Sequence, residues 1–182
     1  MARHPVHVTM RCAIRSLRSQ FVFPTVRIAL EQANRRNPTQ FRICEFSVQA
    51  DHIHLIVEAA CSEALSSGMR GLSIRLARAL NRLVFRCGRV FLDRWHGRPL
   101  RTPREVRHAL AYVLANFKKH ESASYSGPIN PFSSAVGFMG FSEVEWRRRR
   151  PPGGASLAAE SWLLREGWKR YGLISVHEAP RG

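Results

Sequence analysis

Apolar residues recur with a period of two in some stretches of the chain and of about 3.6 in others, the marks of half-buried strands and of helices. Val6 to Cys12 (VHVTMRC) alternates and predicts a first strand. From Pro24, which suits the first turn of a helix, Val26, Ala29, Leu30 and Ala33 recur at helical spacing, and Pro38 forbids continuation past Asn37. Phe41 to Val48 (FRICEFSV) returns to alternation. Gln49 to Asp51 makes a tight turn, and the stretch from His52 to Glu58 (HIHLIVE) pairs back as a hairpin. A long helix is expected from Ser62 to about Arg86, with Leu72, Leu76, Ala79, Leu80, Leu83 and Val84 on one face and Arg70, Arg75, Arg78, Arg82 and Arg86 on the other. Gly68 and Gly71 weaken its first part. Cys87-Gly88 breaks that helix, Arg89 to Leu92 predicts a fourth strand, and Asp93 to Arg101 reads as a basic loop. Thr102, Pro103 and Glu105 form a capping box that opens a third helix, running to about Lys118 with Val106, Ala109, Leu110, Val113 and Leu114 facing a core.

Strand, helix, strand, strand, helix, strand, helix is the split βαβ order of an α+β fold, a ferredoxin-like antiparallel sheet with helices packed on one face. Residues 1–121 make up that domain. Residues 122–182 form an irregular basic C-terminal extension. Ser122 to Gly140 has the Ser, Gly and Pro content of a linker or arm, and Arg147 to Arg150 is a basic run followed by Pro-Pro-Gly-Gly. Glu160 to Tyr171 (ESWLLREGWKRY) predicts a short helix that docks or binds nucleic acid.

Charge changes this picture. The chain has 29 Lys+Arg against 13 Asp+Glu, a formal net charge of +16, which points to a polyanionic partner. Arginine dominates, and its planar fork suits phosphates and base edges. A solvated basic surface is the plainer reading of the same excess. The arginine face of the long helix (Arg75, Arg78, Arg82), Arg11 on the first strand, and the loop carrying Arg94, Trp95, Arg98 and Arg101 are the candidate DNA-binding residues, Trp95 by stacking on unpaired bases. Asp51 and Asp93 are the only aspartates, which argues against a nuclease built on clustered aspartates. Cys12, Cys44, Cys61 and Cys87 contain no C-x-x-C pair, so a zinc ribbon is not expected; they read as reduced thiols of a cytoplasmic protein. The apolar runs are too short to cross a bilayer.

Candidate chemistry lies in two places. His52 and His54 stand two apart on a strand, so both imidazoles project from one face and can chelate one divalent metal; two satisfied histidines on a half-buried strand is the plainer alternative. Tyr112 and Asn116 lie four apart on the third helix and share a face, a possible nucleophile beside an oxygen ligand. A metal on His52, His54 and Asn116 could withdraw charge from a scissile phosphate while the Tyr112 hydroxyl attacks phosphorus.

With these residues in place the chain resembles the HUH single-tyrosine transposases, specifically the REP-associated tyrosine transposase branch. The resemblance rests on His7-Val8-Thr9, Asp51-His52-Ile53-His54-Leu55, Gly88-Arg89-Val90-Phe91, Leu100-Arg101 and Tyr112-Val113-Leu114-Ala115-Asn116, and covers about residues 5 to 120. It implies a Mg²⁺ or Mn²⁺ ion on His52, His54 and Asn116, with Tyr112 as nucleophile. It also implies cleavage of single-stranded hairpin DNA to a 5′-phosphotyrosine and a free 3′-hydroxyl that can later rejoin the strand, by a monomer or homodimer in the bacterial nucleoid. Two positions depart from the family pattern: Asp51 stands where Asn is usual before the first histidine, and Phe117 where Pro often follows the ligand. A domesticated relative that holds hairpin DNA without cutting it is the main alternative. A two-histidine phosphoesterase would use His7-Val8-Thr9, but its second motif needs Thr or Ser where this chain has His54.

Overall fold

A computed structural model of the chain describes residues 4–115, 127–147 and 154–178. Four strands, β1 (Val6–Arg11), β2 (Phe41–Val48), β3 (His52–Ala59) and β4 (His96–Pro99), form one sheet in the order β2-β3-β1-β4, antiparallel throughout. That is the expected ferredoxin-like arrangement. Helices α1 (Phe23–Arg36) and α2 (Ser62–Leu83) connect the strands, and α3 (Pro103–Ala115) follows β4. The capping box at the start of α3 is formed: the Glu105 amide donates to Thr102 Oγ1 at 3.2 Å, and the Thr102 amide to Glu105 Oε2 at 3.1 Å.

The sheet is covered on both sides. Val6, Val8 and Met10 of β1 and Ile53, Leu55 and Val57 of β3 pack with α1 and with Met69, Leu72, Leu76 and Leu80 of α2. On the reverse face, Cys44 and Ile56 pack with Val106, Leu110, Val113 and Leu114 of α3. So α3 lies opposite α1 and α2, not beside them on a single face. The apolar run of β3 explains this, since Ile53, Leu55, Ile56 and Val57 are all fully buried, as a strand covered on both faces requires. In β2 a register shift between Ile43 and Glu45 inserts one extra residue. Phe41 and Ile43 before it, and Phe46 and Val48 after it, thereby face the same α1/α2 core.

The fourth strand differs from the sequence expectation. Regular pairing with β1 lies at His96–Pro99, inside the stretch read as a loop. Arg89 to Leu92 contributes only the Cys12–Phe91 bridge, with the Ala13 amide donating to Val90 O and the Leu92 amide to Arg11 O. Polar His96, Gly97 and Arg98 give an edge strand with no apolar alternation to read.

The C-terminal extension packs more closely than its composition suggests. Among its described residues, Ile129, Ala135, Phe138, Phe141, Leu163, Leu164, Trp168, Ile174 and Val176 share one core with α3. The segment read as a linker also finishes the outer edge of β2, where the Val48 amide donates to Phe132 O and the Phe46 amide to Ser134 Oγ. The helix read over Glu160 to Tyr171 is a single turn, Trp162–Arg165, running into a 3-10 turn over Gly167–Tyr171. Its Trp168 is a core residue, 2% exposed, whose indole N–H donates to Leu164 O. No described helix is long and apolar enough to cross a membrane.

Candidate functional site

β1 and β3 pair with Thr9 opposite His54 and Arg11 opposite His52. Because Val6, Val8, Ile53 and Leu55 point toward α1 and α2, the intervening residues His7, Thr9, Arg11, His52 and His54 lie on the face toward α3. There the rings of His52 and His54 meet edge to face with centroids 4.7 Å apart. Tyr112 of α3 sets its ring against both sheet strands, 5.1 Å from His54 and 5.8 Å from His7. The two histidines and the tyrosine that the sequence separates by some sixty positions thus form one cluster.

Each histidine is held through Nδ1. His54, buried to 4% exposure, has Nδ1 3.1 Å from Thr9 Oγ1 and 3.3 Å from His7 Nε2. His52 Nδ1 is 2.7 Å from Asp51 Oδ1, and this bond holds the Asp51 carboxyl below its usual range. A metal held here would be taken by Nε2 of each ring, with a hydroxyl or carboxylate orienting the imidazole from behind. Burial, and then the Arg98 guanidinium, push the His7 imidazole down to about 4, so His7 is neutral at pH 7 and its Nε2 can accept a hydrogen bond from His54 Nδ1–H. His7 and Thr9 are site residues that the sequence shows only as an alternating H-x-T. Their role emerges when β1 pairs with β3. Two imidazoles on one face, each fixed from behind, suit a divalent cation. Among the described residues no group of three or more His, Cys, Asp and Glu converges to hold one. Asn116, the third ligand that the resemblance implies, lies outside the described residues.

The basic residues divide. Arg11 is exposed beside His52, and Arg98 of β4 pairs in register with His7, so both border the cluster. Arg98 also approaches Glu105 at 3.4 Å, and Arg101 lies exposed just before α3. Arg94 sits 5.7 Å over the Trp95 ring, but Trp95 is half-buried against the α1/α2 core and covers Gly97, so it is not the open stacking surface read from the sequence. Arg75, Arg78 and Arg82 line a cleft between α1 and α2, behind the sheet from the histidines.

Residues 5–92, just under half of the chain, match the family model described as "Transposase IS200 like". Over those residues the chain is similar to the IS200-like transposases. The matched segment contains His7, Thr9, His52 and His54, while β4, α3 and Tyr112 follow it. A solved structure of a REP-associated tyrosine transposase bound to a REP hairpin superposes on this chain with a TM-score of 0.58, at 20% identity, covering 74% of this chain and 78% of that one. That likeness speaks for the fold. No curated protein matches the chain.

Proposed function

We propose that this protein is a transposase, a metal-dependent single-strand endonuclease and strand transferase acting on hairpin DNA through a 5′-phosphotyrosine at Tyr112. The observation that carries the reading is the packing of the Tyr112 ring against His54, with His52 on the same face and Arg11 and Arg98 at its border. The Tyr112 oxygen forms a bond to phosphorus as the bond to O3′ breaks. Its proton passes to solvent, and the departing oxygen becomes a 3′-hydroxyl. A rejoining step reverses these bonds and needs no external energy. His52 and His54, with Asn116, would hold a Mg²⁺ or Mn²⁺ ion that polarises the scissile phosphate. A phenol with a pKa of about 10 is protonated at neutral pH, so Arg11 and Arg98 at the border of the cluster would favour the charge that develops on its oxygen. Support for a hairpin substrate comes from the fold it shares with a hairpin-bound REP-associated transposase and from the +16 charge. The three arginines of α2 and the loop residues Arg94 and Arg101 are assigned to the phosphate backbone.

The test is a denaturing gel of the protein incubated with Mn²⁺ and hairpin oligonucleotides from its own genomic neighbourhood, beside Tyr112→Phe. A covalent protein–DNA adduct that needs metal and vanishes in Tyr112→Phe is expected. Binding by both proteins with no adduct would replace this reading with a domesticated hairpin-binding protein. An adduct that persists in Tyr112→Phe would place the nucleophile elsewhere.

A further inference from the structure

Phe85 is the most exposed large apolar residue described, at 99%. It also has the only positive φ of a described non-glycine residue, +50°. Both follow from how α2 ends. Val84 is the C-cap, the Arg86 amide donates to Asn81 O at 2.9 Å, and the Phe85 amide reaches toward Arg82 O at 3.4 Å. This is a Schellman ending, whose left-handed position usually belongs to glycine because a Cβ is strained there. The chain instead places a phenylalanine at that position, with its ring in solvent. Neither local propensity nor core packing favours that choice, and such conflicts concentrate at functional positions.

The surroundings indicate what the ring meets. Arg82, Arg86 and Arg89 flank it, all exposed, and Arg75, Arg78 and Arg82 line the α1/α2 cleft on the same helix. The loop then runs directly into Val90–Leu92, which bonds to Arg11–Ala13. On its other side this end of β1 meets His52 and Asp51, the Cys12 amide donating to Asp51 O at 2.7 Å. The Cys12 thiol, raised mainly by burial, feels the charges of both Asp51 and Arg86. Phe85 therefore stands at the end of the sheet that carries His52, where the back of the molecule turns toward the histidine face.

We propose that Phe85 is a stacking platform for an unpaired base, at the point where a nucleic-acid strand lying along the α2 arginines rounds the sheet edge toward the histidine–tyrosine cluster. The inference rests on the nucleic-acid reading above. An aromatic face among arginines fits single strands because every base offers a π surface while the phosphates supply the charge.

Phe85→Gly is the decisive variant, because it suits the left-handed backbone and removes a side chain with no packing role. Its denaturation midpoint is expected to equal or exceed that of the wild type. Its affinity for a fluorescein-labelled oligo(dT) is expected to fall roughly 5- to 100-fold, and Phe85→Trp should restore binding. The variant's deficit should disappear on an abasic strand of the same length, which keeps the phosphates and lacks the bases. A Phe85→Gly protein that binds oligo(dT) as tightly as the wild type would overturn the inference alone. A wild type that binds neither strand would overturn the nucleic-acid reading with it. A Phe85→Gly protein with unchanged affinity but a smaller sedimenting species would reassign the ring to contact between two copies of the chain.

Discussion

Gly68→Ala and Gly71→Ala are one helical turn apart in α2, and helix propensity alone predicts that both stabilise the protein by up to about 1 kcal/mol. The tertiary environment separates them. A Cβ at Gly71 meets nothing within 4 Å. A Cβ at Gly68 would fall 2.3 Å from Phe41 Cγ and 2.5 Å from its Cδ2. Carbon atoms pack at about 3.5–4.0 Å, so the overlap is more than about 1 Å. Phe41 cannot easily yield: it is 5% exposed, belongs to the α1/α2 core, and its Cγ is set by a backbone paired to Ala59. Overpacking of this kind costs about 1–3 kcal/mol, which exceeds the propensity gain. Gly68→Ala should therefore destabilise by about 1–2 kcal/mol while Gly71→Ala stabilises by about 0.5–1 kcal/mol, both read from urea unfolding with unchanged m values. Removing the obstacle provides the control: in a Phe41→Ala background the Gly68→Ala change should become stabilising, a coupling of about 2 kcal/mol. Gly68→Ala at least as stable as Gly71→Ala would refute the steric argument.

Two further expectations concern the C-terminal extension. The Arg107 guanidinium of α3 donates to both oxygens of Glu178 at 2.8 Å and to the carbonyls of Gly172 and Leu173, so Arg107→Ala should cost about 2–3 kcal/mol in urea unfolding and speed proteolysis near residue 173. Burial raises the Glu143 carboxyl, but hydrogen bonds from the Ser175 hydroxyl and the Val176 amide outweigh it and hold the group down at about 2. With the folded value depressed, its contribution is present above the unfolded value near 4.5 and is lost as pH falls toward 2, so hydrogen exchange at Val176 corrected for intrinsic rates should quicken over that window and Glu143→Gln should abolish the change.

The order of the first seven elements, the fold class and the face shared by His52 and His54 were all legible in the sequence, because each rests on local periodicity or capping. The strand at Arg89 to Leu92 was misplaced because an apolar run marks burial, whereas the edge strand His96–Pro99 is defined by the backbone bonds it makes with β1. The linker reading of Ser122 to Gly140 failed over its described part for a related reason. Ser133, Ser134 and Asn130 look like loop residues, yet they are buried, Ser134 and Asn130 bonding to Phe46 and Ser47 of β2 and Ser133 bridging to Ser47. Trp95, expected to stack on bases, is half-buried against the α1/α2 core, since sequence spacing does not say which side of an element a ring will cover.

Sequence by itself determined which residues could do chemistry: two histidines on one strand face, a tyrosine on a helix, and an excess of arginine over acid. Only the tertiary structure decided which of them meet. Strand register put Thr9 behind His54 and Arg11 beside His52. The double burial of β3 brought α3, and with it Tyr112, onto the histidine face. The same layering sent Arg75, Arg78 and Arg82 to the far side, because a period of 3.6 fixes the face of a helix but not the side of the sheet on which that helix packs.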